Sequence, residues 1–555
     1  MKKNTAAFNT LFPLAPQKAL SEALYSMYSQ VHTTEKARIN RTQDKSAYQK
    51  LVTTFGIAPV KTPTNPQDVA NTIIGDIFDG AVNWRSPNLL YNVGASVNVF
   101  TSAAYATSLD INVYNINDGL AGNALAAERA VIEILARLAK VPVETSAGLF
   151  TFGGTATNLY GMKLGLTKAL PETRANGLTD QKIKAFISED AHFSHMRAAD
   201  WLGIGSNNVI ALKADMQSRQ TLLAEATNQI EKAIEEGYTV PIIIINGGTT
   251  YSQTIDDIAG FVSMRNQLVK KYNLSYSPHI HVDSVIGWCW LVFSEYDFQK
   301  NELEIEPKTL QKIEKQYNKI SEIRLCDSWG VDFHKGIGGC PIDSSVFMIN
   351  QLSDVSYLSR KLDPNVQIHQ LATEFSHTSP VEYTLETSRA AGASLSALMM
   401  FHTEGLNGVR IHLATLIEEV GYLGDALQSL ADVSVVNSDN HGFVLMVRMY
   451  PPNLDKSLLD QEILGVSEEA SKTIDSVNEY LKSFFTFDLK SRMAENTSFE
   501  YSFSSSYQTT ACGKALSALK FYPTSPHFGR KHVVEIVKTL KKQKSLFDEW
   551  YLSHA

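Results

Sequence analysis

The sequence predicts an α/β fold: a mostly parallel central sheet with helices on both faces, followed by a smaller carboxy-terminal α+β domain. Two observations lead to it. From about residue 125 to residue 283, short apolar runs alternate with stretches of helical length, and the runs are largely apolar, as strands covered on both faces are. Beyond about residue 400 the helical stretches lengthen and strand-like runs become fewer. Three parts follow: an N-terminal helical segment (1–100), a large α/β domain (101–400) and a small α+β domain (401–555).

Each element has its own reason. Residues 1 to about 58 hold amphipathic pieces such as 19–28, which read either as an arm packed on a partner subunit or as a first helical layer. Pro59, Pro63 and Pro66 fall within eight residues and read as a linker. A helix is expected over 126–138, a strand over 148–152 and a helix over 157–169. Strands at 184–188, 208–212, 241–246 and 279–283 are separated by helices from 194, near 219–236 and from 256. Residues 433–437 and 442–448 read as one antiparallel hairpin region.

Composition narrows the function. Hydrophobic residues are 44% and charged residues 19%, which suits a globular chain rather than a disordered or fibrous one. The net charge of −8 argues against a nucleic-acid partner, which calls for a basic stripe. Cys289, Cys326, Cys340 and Cys512 form no CxxC pair, so neither a zinc ribbon nor a disulfide framework is indicated, no metal site is expected, and a reducing compartment fits. The most apolar run, 285–293, falls far short of the roughly 18 residues that span a bilayer. Asn9, Thr10 and Pro13 interrupt any signal-peptide core. The expectation is a cytoplasmic protein without a membrane partner.

No GxxxxGK[ST] and no strand-linked GxGxxG is present, so a nucleotide site is not indicated. Four other places can carry chemistry. Gly153-Gly154-Thr155 follows a strand and opens a helix, where free N–H groups suit an anion; such a turn is also common with no ligand. His192 lies past a strand end and can stack on a flat ring, or cap a helix. Asp283 closes an apolar strand, where a carboxylate needs a cation or donor, unless the strand end is exposed. Lys335 stands before a glycine-rich turn; burial would lower its pKa and make it a nucleophile, whereas a surface lysine would be inert. In open α/β sheets ligands bind outside the carboxyl ends of strands. An anion turn, a stacking histidine, a buried aspartate and a nucleophilic lysine together meet the demands of pyridoxal phosphate, whose ring is an electron sink.

The chain here resembles the group II pyridoxal-phosphate-dependent amino-acid decarboxylases, which include glutamate, aromatic-amino-acid, tyrosine and aspartate decarboxylases. The matching stretches run in order over roughly residues 80 to 400: Phe152-Gly-Gly-Thr-Ala-Thr-Asn-Leu-Tyr160, Ala191-His192, Asn246-Gly-Gly-Thr-Thr250 with Asp256, His281-Val-Asp283, Asp327-Ser328 and His334-Lys335. The resemblance implies a fold-type I transferase-like architecture and pyridoxal 5'-phosphate as cofactor. It implies Lys335 as the lysine linked to the cofactor, Asp283 as partner of the pyridine nitrogen and His192 on the ring. Gly154, Thr155 and His334 would lie at the phosphate, Thr250 in the cofactor pocket, and Asp332 on the phosphate side. Arg389, in Tyr383-Thr-Leu-Glu-Thr-Ser-Arg389, is the candidate for the substrate carboxylate, or else a structural ion pair. It further implies a homodimer with shared active sites and loss of CO2 from an L-amino acid to leave an amine.

Two departures stand next to the site: Phe333 where relatives carry proline, and Ser284 where they carry alanine. A third bears on the reaction. The segment 364–380 corresponds to a mobile loop whose tyrosine returns a proton to the substrate carbon, and it holds His369 and His377 but no tyrosine. Either histidine can donate that proton, and His377 is the candidate taken. Otherwise oxidative deamination follows decarboxylation. Another carbon–carbon lyase of this fold, or a non-catalytic scaffold, is the remaining alternative.

Overall fold

The computed structural model describes residues 17–29, 31, 36–38, 48–49, 52–53, 65–179, 181–359, 379–437, 442–495 and 499–554. Among the described residues, twelve strands form two sheets. They are β1 (Leu89–Leu90), β2 (Ala147–Thr151), β3 (Ala185–Ser188), β4 (Val209–Leu212), β5 (Ile242–Asn246), β6 (His279–Asp283), β7 (Ser328–Asp332), β8 (Ser345–Ile349), β9 (Val433–Val435), β10 (Leu445–Met449), β11 (Glu500–Thr509) and β12 (Ala515–Phe521).

The large sheet has the order β2-β8-β7-β6-β5-β3-β4. Its pairs are parallel except that β8 runs against both β7 and β2. The Ile242-Ile-Ile-Ile-Asn246 run is buried at every position, as a strand covered on both faces must be. Helices Ala124–Leu138, Gly154–Ala169, Leu223–Glu235 and Ile258–Tyr272 connect or flank these strands. The expected rhythm is present, and only β8 breaks the parallel pattern.

The second sheet has the order β1-β11-β12-β10-β9. β9 and β10 pair antiparallel, in the region expected for a hairpin. The long β11–β12 pair was not anticipated. Its sequence, Glu500-Tyr-Ser-Phe-Ser-Ser-Ser-Tyr-Gln-Thr509, hides its alternation behind serines and an irregularity between Ser504 and Gln508. β1, from the N-terminal segment, runs parallel to β11, so residues before 100 complete a sheet made mostly by residues after 430. The linker expected up to Pro66 also needs correction. Pro66 is the first residue of helix Pro66–Ile77, where its missing N–H costs nothing, while 54–64 lie outside the described residues.

Candidate active site at the carboxyl ends of the large sheet

β2, β3, β5, β6 and β7 all run the same way, so their carboxyl ends share one edge of the sheet. A cleft of about 760 Å³ opens there, with His334, Lys335, Trp84, Asn92, Val93 and Cys340 in its wall. After β2 the chain turns at Gly153, whose φ of +116° excludes most side chains, and enters helix Gly154–Ala169. A Cβ on Gly154 would lie 2.6 Å from Asp332 Oδ2, so this turn is pressed against the end of β7. The first N–H groups of the helix lack intrahelical partners and favour an anion. Thr155 is exposed in that first turn, and Thr250 is half-buried in the turn after β5. His334 donates from Nδ1 to the Ser344 carbonyl at 3.4 Å and keeps Nε2 3.7 Å from Asp332 Oδ2.

Asp283 ends β6 and is held by a chain of neutral donors. Asn158 Nδ2, from helix Gly154–Ala169, donates to Asp283 Oδ2 at 3.0 Å and to Ser194 Oγ at 3.0 Å. Asn158 Oδ1 accepts from His281 Nε2 at 3.1 Å, and the His281 Nδ1 faces Ser328 Oγ at 2.9 Å. Ser328 Oγ in turn lies 2.7 Å from His279 Nε2. Burial pushes both His279 and His281 down to about 3, so they are neutral and each carries a single ring proton. His195 Nε2 adds a contact 3.2 Å from Asp283 Oδ2. Burial alone would raise the Asp283 carboxyl, but His195 and the Lys335 charge hold it well below the usual range. The carboxylate stays ionised.

His192 sits after β3, exposed, with Nδ1 facing both the Ser194 N–H (3.3 Å) and Oγ (2.9 Å), which leaves the ring proton on Nε2. Partial burial lowers its pKa, and the Lys335 charge adds to this against the pull of Asp283.

Lys335 follows β7, with its side chain 22% exposed and Nζ 2.8 Å from Asp332 Oδ2. The expected fall in its pKa does not occur. Burial acts downward, but Asp332 and Asp283 outweigh it, and the amine is held above its ordinary value. Asp332 is itself fully buried, and its Oδ1 accepts from Ser345 Oγ at 2.6 Å. The two departures have local reasons. Phe333 fills an aromatic cluster with Trp288 (4.8 Å between centroids), Phe401 (5.7 Å) and Phe150 (6.4 Å). Ser284 Oγ donates to the Gly330 carbonyl at 2.7 Å and ties β6 to β7.

Arg389 needs correction. Its Nη1 donates to Glu128 Oε1 (2.8 Å) and the Phe150 carbonyl (2.9 Å), and its Nη2 to Glu128 Oε2 (3.1 Å) and the Asn115 carbonyl (3.1 Å). Both Nη atoms are buried and engaged, with only Nε lacking a partner among the described residues, so the structure favours the structural ion pair with Glu128. His377 and His369 lie outside the described residues. Among the described residues no group of His, Cys, Asp and Glu is arranged to hold a metal ion, and no helix is long and apolar enough to cross a membrane.

Three residues escaped the sequence reading. Asn158 and His195 anchor Asp283; their signal was only position, one helical turn beyond Gly154 and beyond His192. Lys520, on β12, is buried with Nζ donating to Asn92 Oδ1 at 2.9 Å and 5.3 Å from the Tyr251 ring centroid. No carboxylate pairs with it among the described residues, and burial pushes its pKa down to about 8. Nothing in its local sequence marks it.

The residues fit pyridoxal phosphate. Asp283 Oδ1 is buried with no hydrogen-bond partner among the described residues. Such an acceptor is costly, by about 1–3 kcal/mol, unless a ligand brings the donor. A protonated pyridine nitrogen is such a donor, the helix start at Gly154 suits a phosphate, and Lys335 supplies the amine for an aldehyde.

Comparison with known proteins agrees. Residues 56–305 match the pyridoxal-dependent decarboxylase conserved domain. An acidic amino acid decarboxylase of Xenopus tropicalis is 31% identical over 153 residues, 27% of this chain and 28% of that protein, so the match spans little over a quarter of that relative. An aspartate 1-decarboxylase of Aliivibrio fischeri is 22% identical over 457 residues, 76% of this chain and 74% of that one. Mouse CSAD superposes with a TM-score of 0.73 at 15% identity, covering 95% of this chain and 99% of the other. The fold and site therefore define a pyridoxal-dependent decarboxylase domain. Over residues 56–305 the chain is similar to the pyridoxal-dependent decarboxylases, and pyridoxal 5'-phosphate is the cofactor that this match and the site indicate.

Proposed function

We propose that the protein removes CO2 from an L-amino acid with an acidic side chain and releases the amine. The unpartnered Asp283 Oδ1 in the same site as Lys335 is the observation that carries this reading. Bound pyridoxal phosphate supplies an electron sink for the pair left on the substrate carbon as CO2 departs. The chain's residues do the rest. Lys335 presents the amine that holds the cofactor aldehyde. Asp283, kept ionised by Asn158, His195 and Lys335, holds a proton on the pyridine nitrogen. His192 would lie against the ring, Gly154, Thr155 and His334 would hold the phosphate, and Thr250 would line the pocket. Trp84, Val93 and Cys340 give the cleft an apolar wall, and reduced hydration disfavours the charged carboxylate relative to CO2.

The acidic substrate rests on Lys520. Its ammonium has only a neutral amide and a ring for partners, and Asn92, to which it donates, is part of the cleft wall. A carboxylate would complete it. Two relatives named for acidic substrates support the same class. The test is purified protein screened for CO2 release across the proteinogenic amino acids. Visible absorption and turnover both vanish in Lys335→Ala if the reading holds; a fully active variant overturns it.

A second reading, decarboxylation followed by oxidative deamination, is favoured by the absence of tyrosine from 364–380. Oxygen uptake with aldehyde formation distinguishes it. We also propose a homodimer. Val99, Phe100, Leu109 and Ile111 are exposed on helix Val99–Ile111, and Ile342, in the cleft wall, is 73% exposed, so a second copy would bury apolar surface beside the site. A monomer in sedimentation at micromolar concentration refutes it. All four cysteines are free, which suits the reducing cytoplasm. The division at residues 100 and 400 is likewise proposed, and limited proteolysis tests it.

A further inference from the structure

We propose that Asp332 is a positioning residue that keeps the unlinked amine of Lys335 in the cleft as an ammonium, and that this ammonium protonates the substrate carbon after CO2 leaves. The inference rests on the proposed decarboxylation and names its proton source.

The geometry carries it. Asp332 Oδ2 lies 2.8 Å from Lys335 Nζ, and the carboxylate cannot swing away, because Ser345 Oγ holds its Oδ1 at 2.6 Å and Gly154 packs so closely that a Cβ would meet Oδ2 at 2.6 Å. The side chain is fully buried at the end of β7, so its charge acts through protein rather than water. Other charged or titratable groups face the amine as well. Asp283 comes from β6, His192 and His195 from the segment after β3, and His334 adjoins the lysine. Arg85 is in the same cleft wall, and Lys520 stands behind Asn92. Among the described residues, only Asp332 forms an ion pair with the amine.

The proton count closes. Substrate arrives as an ammonium, and a Lys335 amine released by it would keep the surplus proton as –NH3+ paired with Asp332. Loss of CO2 leaves an electron pair on the substrate carbon. One N–H bond of Lys335 breaks and a C–H bond forms with that pair. The neutral lysine amine then displaces the product, which takes one proton from water. No oxidant is required, and the ammonium fills the place left by the tyrosine missing from 364–380.

The first test needs no turnover. The full chain, freed of cofactor by dialysis against phenylhydrazine, is labelled with trace acetic anhydride from pH 6 to 11, and Lys335 is followed by peptide mass spectrometry. In the wild type Lys335 becomes reactive at higher pH than an exposed lysine such as Lys308. In Asp332→Asn the midpoint falls by about one to three pH units, the range an adjacent opposite charge commands. Ser345→Ala retains the charge and stays near wild type, which keeps the test readable if the asparagine variant folds poorly. Coincident wild-type and Asp332→Asn profiles, or a Ser345→Ala profile that matches neither fold nor charge by moving as far as the asparagine variant, overturn the pairing.

The second test uses the loaded enzyme. Asp332→Asn retains the visible absorption of the linked cofactor, loses about a hundredfold in kcat, and shifts the alkaline limb of the kcat profile. Unchanged kcat and pH profile overturn the proton assignment. If wild-type protein binds cofactor and releases no CO2 from any amino acid, the decarboxylase reading fails while the labelling result still stands or falls by itself.

Discussion

Arg389 and Glu128 form a two-pronged pair inside the large domain: Nη1 stands 2.8 Å from Oε1 and Nη2 3.1 Å from Oε2, and Glu128 Oε1 also accepts the Phe150 N–H at 3.1 Å. The pair therefore joins helix Ala124–Leu138, strand β2 and the segment before helix Gly392–Thr403. Removing one partner leaves a buried charge alone. Glu128→Ala should lower stability by about 3–5 kcal/mol, read by urea denaturation. KM of the folded fraction should stay within about twofold, since neither group is free to bind substrate; a large rise in KM with normal stability would return Arg389 to the substrate.

Asp283→Asn keeps the shape and removes the charge. The cofactor should remain bound, visible by its absorption, while kcat falls by about two orders of magnitude. Asn158→Ala should show a smaller loss in the same direction, because among the described residues Asp283 Oδ2 then keeps only His195. Normal turnover in Asp283→Asn would remove the carboxylate from the chemistry.

His279 and His281 give stability a pH dependence. Both have folded-state pKa values near 3, below the ordinary 6.5, so the fold admits only the neutral rings. Their contribution is complete above pH 6.5 and is lost as pH falls towards 3, with a slope of about 1.4 kcal/mol per pH unit for each ring. Urea midpoints measured between pH 7 and pH 4 should decline, and His279→Gln should flatten the decline even if it lowers stability throughout. A decline unaltered by the substitution would place the proton uptake elsewhere.

Lys520→Met should raise KM for an acidic substrate about tenfold or more, the cost of leaving a carboxylate unpaired in a partly buried site, with kcat less affected. The wild-type KM should also rise as pH passes about 8, where the lysine loses its charge. Equal KM values for the two proteins would exclude Lys520 from recognition.

Much of the large sheet was legible because burial on both faces leaves long apolar runs, as in Ile242–Asn246, and because each run ends in residues that apolar surroundings do not tolerate without a task. The order of Gly154, His192, Asp283 and Lys335 along the chain was enough to name the cofactor. What was hidden came from partners distant in sequence. Whether Lys335 gains or loses a proton depends on where Asp332 and Asp283 point, which spacing does not encode. Arg389 sits in the right motif, yet Glu128, 261 positions earlier, takes its guanidinium. Lys520 lies on a strand that the serine-rich partner β11 obscured.

The wall of the cleft is fastened from the far end of the chain. Tyr522 N–H reaches the Leu90 carbonyl, Lys520 holds Asn92 and Thr524 holds the Gly94 carbonyl, the last two across 428 and 430 residues. A ribosome that has released only the first four hundred residues has made the lysine and its aspartates but not a finished pocket. Closure over such separations is intrinsically slow, so capture of the vitamin-derived coenzyme waits until residues 520–524 have been made, and a truncation before them would damage the cleft wall at residues 90–94 first.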